Sequence, residues 1–127
     1  MSCRYTRHYT REEARELLPR VRRWLQRIRE LRPLQDRLDA EAARMFARGR
    51  DMGGAGADRW ARQAVELQGI ADELREHQIL VRDSERGRVD FPSLLCGREV
   101  FLCWQEGEDD VEYWHELDAG GGERHPV

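Results

Sequence analysis

Cys103, Glu108, His115 and Arg124 put a thiol, a carboxylate, an imidazole and a guanidinium into one short reach of chain, and Asp83 and Asp90 add two carboxylates upstream. Thiolate, imidazole and carboxylate are ligand types that zinc or iron accepts, and catalytic zinc needs only three protein ligands. Cys103, His115 and Asp90 form such a set, with Asp83 as the other carboxylate within reach. A metal-free chemistry draws on the same residues. A carboxylate beside a histidine suits acid–base work, which Asp90 or Glu108 with His115 would provide. Arg124 could hold an anion, and Cys103 with His115 would make a nucleophile–base pair. No complete catalytic constellation is present in the sequence. The plainer alternative is favoured: a buried cysteine and a histidine bonded to an acid, pinning a sheet to a helix.

Whether these side chains can meet depends on the strands that carry them. Val100-Phe101-Leu102-Cys103-Trp104 and Val111-Glu112-Tyr113-Trp114-His115 flank the turn Glu106-Gly107-Glu108-Asp109-Asp110, which reads as a β-hairpin over residues 98–117. Strand neighbours alternate faces, so His115 joins Cys103 only in a register that sets Cys103 opposite Tyr113 and Phe101 opposite His115. A slip of one residue puts His115 with Trp104 instead. The turn does not decide between them.

The composition bounds the possibilities. The 127 residues suit one domain, and no apolar run approaches the roughly 20 residues that span a bilayer. The first residues lack the apolar core of a signal peptide, so a cytosolic protein is expected. Cys3, Cys96 and Cys103 are an odd set without zinc-finger spacing, and Cys96 and Cys103 read as small buried apolar residues. All 22 basic residues are arginine, which excludes a P-loop and lysine-based Schiff-base chemistry. Residues 1–37 hold 11 Arg against 5 acids, whereas the remainder is acidic. Arg20, Arg23 and Arg27, at helical spacing, could contact phosphates, although Glu16 and Glu30 interrupt the stripe. The reading preferred here is a solvated helix face whose charge is balanced within the fold or across a dimer, not a nucleic-acid surface.

The chain opens its first element with a capping box, Thr10-Arg11-Glu12-Glu13, with Tyr9 and Ala14 as a weak hydrophobic staple. Leu17, Val21, Trp24, Ile28, Leu31, Leu38, Ala42 and Met45 then trace a four–three seam, which Pro19 and Pro33 should bend without ending. A Gly-rich loop is expected over 49–57, followed by a second helix capped by Asp58 and ending near His77. Its seam is Trp60, Ala64, Leu67, Ala71 and Leu74. About 20 residues of helix cannot cover about 38, since each residue advances about 1.5 Å. The segment from Ala14 to Ile28 therefore needs another cover, and the strands that follow are placed there. Those strands run 79–82, 88–92 and the hairpin, a four-stranded meander over 79–117, with Pro92 at a strand end or an edge and 118–127 as a loop.

Tyr9-Thr10-x-Glu12-Glu13-Ala14, Gly87-x-Val89-Asp90-Phe91-Pro92, Leu102-Cys103-Trp104-x-x-Gly107-Glu108, Trp114-His115 and Arg124-x-Pro126 resemble a family of small bacterial proteins known only as a numbered domain of unknown function. The resemblance spans most of the chain and implies a single domain, with no activity or cofactor attached. Its signature residues fall at Asp83, Asp90, Cys103, Trp104, Glu108, Trp114, His115 and Arg124, and Arg82 stands where a lysine is usual. The expectation is an α+β fold, a long antiparallel helical hairpin followed by a small antiparallel meander packed on the N-terminal half of helix 1. A homodimer through the helices is expected, with an interaction role ahead of a zinc- or iron-dependent one.

Overall fold

The computed structural model describes residues 2–119 and 123–127. Two helices, α1 (Arg11–Ala47) and α2 (Gly54–Glu76), precede five strands: β1 (Leu80–Asp83), β2 (Arg88–Leu95), β3 (Arg98–Gln105), β4 (Tyr113–Glu116) and β5 (His125–Pro126). The strands form one antiparallel sheet in chain order. No helix is long and apolar enough to cross a membrane.

The capping box starts α1 as read from the sequence: Thr10 Oγ1 accepts the Glu13 N–H at 3.1 Å, and Glu13 Oε1 accepts the Thr10 N–H at 2.9 Å. Pro19 and Pro33 lie inside the helix. An interior proline costs about 3 kcal/mol, whereas each fully buried Leu or Val returns about 1.5–3 kcal/mol. Leu18, Val21 and Leu25 are all buried around Pro19, so continuing the helix wins. Cross-links between the helices run in opposite directions, as antiparallel packing requires: Trp24 Nε1 to Glu73, Arg27 to Glu66, and Trp60 Nε1 to Asp39.

The start of α2 corrects the sequence reading. Gly53, not Asp58, is the N-cap, with no side-chain bond, and the helix begins at Gly54. The connection is therefore shorter than the expected loop over 49–57. Phe46, Met52, Ala57 and Trp60 line an open apolar pocket of about 420 Å³ between this end of α2 and the end of α1.

The sheet covers the half of α1 that the wide apolar stripe assigns to it. Val89, Phe91, Leu102 and Trp104 share one buried cluster with Ala14, Leu18, Val21, Leu25 and Ile28. The β2–β3 connection is a two-residue turn, with Leu95 opposite Arg98 and both Cys96 and Gly97 at positive φ, 51° and 78°. That geometry places Cys96 at an exposed apex, contrary to the buried position expected for it. Pro92 sits inside β2 opposite Phe101, at a level that β1 does not reach. Its missing N–H therefore has no ladder partner to lose. A fifth strand replaces the expected loop at the end of the chain, pairing Trp114 with His125 and Tyr113 with Pro126. Two residues carry no periodicity, so their pairing was invisible in the sequence; the Trp114 and His125 rings, 4.7 Å apart, account for it.

Candidate metal centre

Register decides which side chains meet, and β3 and β4 pair with Cys103 opposite Tyr113 and Phe101 opposite His115. Asp90 lies opposite Cys103 across β2 and β3. Asp90, Cys103 and His115 therefore share a sheet face, the one turned away from the helices. That face would be expected to meet water, yet the three side chains are buried, at 4 %, 7 % and 4 % exposure.

The segment before α1 covers the neighbouring part of this face, around Phe101 and Glu99. The Tyr5 ring stands 5.5 Å from the Phe101 ring, edge on. Glu99 accepts the Arg4 and Tyr5 N–H groups at 2.7 and 3.0 Å and bonds His8 Nε2 at 2.7 Å. Gln78 Oε1 accepts the Thr6 and Arg7 N–H groups at 3.0 and 2.7 Å. Two side-chain oxygen groups thus serve as the strand partner that this stretch lacks.

On the same face, one ligand atom each from Asp90, Cys103 and His115 lies within 4.8 Å of the other two. His115 Nδ1 is 2.8 Å from the Glu116 carbonyl oxygen, which can only accept, so this nitrogen carries a proton and donates. In the neutral ring Nε2 is then a bare lone pair, and it stands 3.1 Å from Asp90 Oδ1. Two acceptors at that distance need a proton or a metal cation between them. Asp90 Oδ2 accepts from Arg82 Nε at 2.8 Å. Cys103 Sγ accepts from Arg124 Nε at 3.3 Å. Burial pushes the Cys103 thiol up, and the Arg124 guanidinium works against it. Burial also opposes the charge on Glu108, but two bonds of 2.8 Å from Arg124 and the Gln105 N–H hold it below the usual carboxylate range.

A pocket of about 240 Å³ opens beside the cluster, lined by Arg82, Arg88, Asp90, His115, Leu117, Asp118 and Ala119. Cys103 is not on its wall. A sulfur that is enclosed while its neighbours face the pocket suits a ligand, whereas a nucleophile needs access.

The other singled-out residues fall elsewhere. Asp83 Oδ1 caps its own turn by accepting the Glu85 and Arg86 N–H groups at 3.0 Å each, so it takes no part in the cluster. Trp104 is on the helix side, its Nε1 donating to the Glu108 carbonyl at 3.0 Å under the Arg22 guanidinium. Arg124, read as an anion holder, is instead committed to Glu108 and stacks 4.2 Å over Tyr113. Arg27 is bonded to Glu66 and Glu30, Arg20 lies 5.0 Å over Trp24, and Arg23 is exposed. Phe101 and the Glu116 carbonyl were missed; only the strand register could have revealed them.

A model of the DUF2203 family, described as an uncharacterized conserved protein, matches residues 7–127. No curated protein and no solved structure matches the chain.

Proposed function

We propose that this chain, which belongs to the uncharacterised DUF2203 family, binds a transition-metal ion of the zinc or iron class through Asp90, Cys103 and His115. One observation carries the reading: His115 Nε2 and the Asp90 carboxylate converge at 3.1 Å, with the Cys103 sulfur in the same buried cluster. Each ligand already has the outer partner that metal sites use to fix orientation: Glu116 for His115, Arg82 for Asp90 and Arg124 for Cys103. Three protein ligands with His115 and Asp90 facing a pocket leave a coordination position for an exogenous molecule, the pattern of catalytic sites.

The test is titration of zinc into metal-free protein by calorimetry. One ion per chain is expected for wild type, and its loss in Cys103→Ala and in His115→Ala. Equal uptake by all three proteins would remove the site from these residues.

A second reading, self-association through the helices, is favoured by Leu34, Phe46, Trp60 and Val65, large apolar side chains exposed beyond the sheet. Both readings suit a reducing, cytosolic setting, in which three free thiols persist.

A further inference from the structure

Resting on the metal reading above, we infer that the molecule entering the pocket is a small oxyanion, a carboxylate or phosphate compound gripped between the metal and Arg82. Arg82 is fixed on two sides. Its Nε donates to Asp90 Oδ2 at 2.8 Å, and its guanidinium lies 5.1 Å over the Phe101 ring. Its terminal nitrogens have no acidic partner among the described residues. Arg82 lines the same pocket as His115 and Asp90. A guanidinium held in this way presents a flat donor edge that matches the paired oxygens of a carboxylate or phosphate.

Asp90 itself shows the span required. One of its oxygens reaches His115 at 3.1 Å and the other reaches Arg82 at 2.8 Å. An oxyanion in the pocket would repeat that bridge, with one oxygen on the open metal position and another on the Arg82 terminal nitrogens. Charge points the same way. A divalent ion with Arg82 and Arg124 outweighs Asp90, Glu108 and a Cys103 thiolate, and an anion would balance the remainder. Asp118 at the rim does not compete, because it is turned to solvent at 89 % side-chain exposure and paired with Arg4 at 3.0 Å. Leu117, Ala119 and Arg88 also line the pocket, and about 240 Å³ equals the liquid volume of about eight waters. The ligand is a small molecule with a short apolar part, not a polymer.

The experiment uses the cobalt-loaded chain, whose visible bands report any new ligand on the ion. Inorganic phosphate, acetate and, as neutral control, glycerol are titrated into wild type, Arg82→Gln and Arg82→Lys. Saturable band shifts with phosphate or acetate are expected, and none with glycerol; the tighter of the two anions identifies the head group. Arg82→Gln, which also removes the outer partner of Asp90, should need more cobalt to load and, once loaded, bind the anion about tenfold more weakly or worse, with partial recovery in Arg82→Lys. If Arg82→Gln fails to load cobalt, the comparison of wild type with Arg82→Lys carries the same expectation. Cobalt that loads but answers neither anion would overturn the inference alone, as would equal anion affinity in the variants. A wild type that takes up no cobalt would overturn the metal reading with it.

Discussion

Asp90 is shared between Arg82 and His115, and each partner uses a different oxygen. Asp90→Asn should therefore do two separable things. It removes a ligand, so metal uptake falls, and it leaves the half-exposed Arg82 guanidinium without its charged partner. Loss of one charge-assisted bond in a site 4 % exposed should cost about 1–3 kcal/mol in urea unfolding of the metal-free protein. His77 makes a prediction of a different kind. Burial, then Arg20 and Arg7, push its pKa below the usual value. The unfolded chain thus takes up this proton at a higher pH than the folded one. Stability from His77 is complete above pH about 6.5 and is lost as pH falls through the lower folded value. His77→Gln should flatten the stability profile on the acid side of pH 6.5; an unchanged slope would assign that slope to other groups. At this scale the residue types were legible in the sequence but their company was not. Cys103, His115 and Asp90 were candidates on chemistry alone, and nothing in the 106–110 turn said which face His115 would take.

Among the elements, both helices and four of the strands announce themselves, whereas the fifth strand and the register do not. The capping box, the α1 seam and the mismatch of helix lengths come from local signals that the structure follows, but in α2 it buries Ile70 and Leu74 and leaves Trp60 and Ala71 of the expected seam exposed. Strand pairing is non-local: β5 and the β3–β4 register depend on cross-strand contacts that no window of sequence contains. The Asp58 cap failed too, because the helix starts at Gly54, ahead of Asp58, without any side-chain cap bond. The two turns of the sheet meet at Gly87. Its φ is +74°, its carbonyl accepts the Glu106 N–H at 3.0 Å, and an added Cβ would lie 2.6 Å from Glu106 Cβ. Glu106 in turn binds Arg29 of α1 at 2.6 Å, so this point fastens the turns to the helix. Gly87→Ala should cost about 1–3 kcal/mol from the backbone alone, with the clash in addition. Thermal melting would show the loss, and a neutral result would mean that the turns yield without strain.

For the molecule as a whole, the chain is a helical lever with a sheet at one end. Trp60 and Phe46, exposed at 39 % and 69 %, mark the far end. If the helices associate, Phe46→Glu with Trp60→Glu should lower the molar mass in sedimentation equilibrium at unchanged metal uptake, because the sheet site lies beyond their reach. An unchanged mass would remove this surface from any assembly. The sheet end differs because the segment before α1 folds back over the face that the helices leave open. That segment is held by backbone N–H groups on Glu99 and Gln78, a pairing with no pattern to read, while Arg82, Arg124 and the Phe101 ring stand against the cluster itself. Burial is also what makes a metal reading at Asp90, Cys103 and His115 sharper than a chance gathering of polar groups. The most direct measurement is elemental analysis of untagged protein purified without chelator, beside the Cys103→Ala, His115→Ala double variant. Zinc or iron near one per chain in wild type and absent from the variant is the predicted result; metal-free wild type that remains metal-free after incubation with either ion would contradict it.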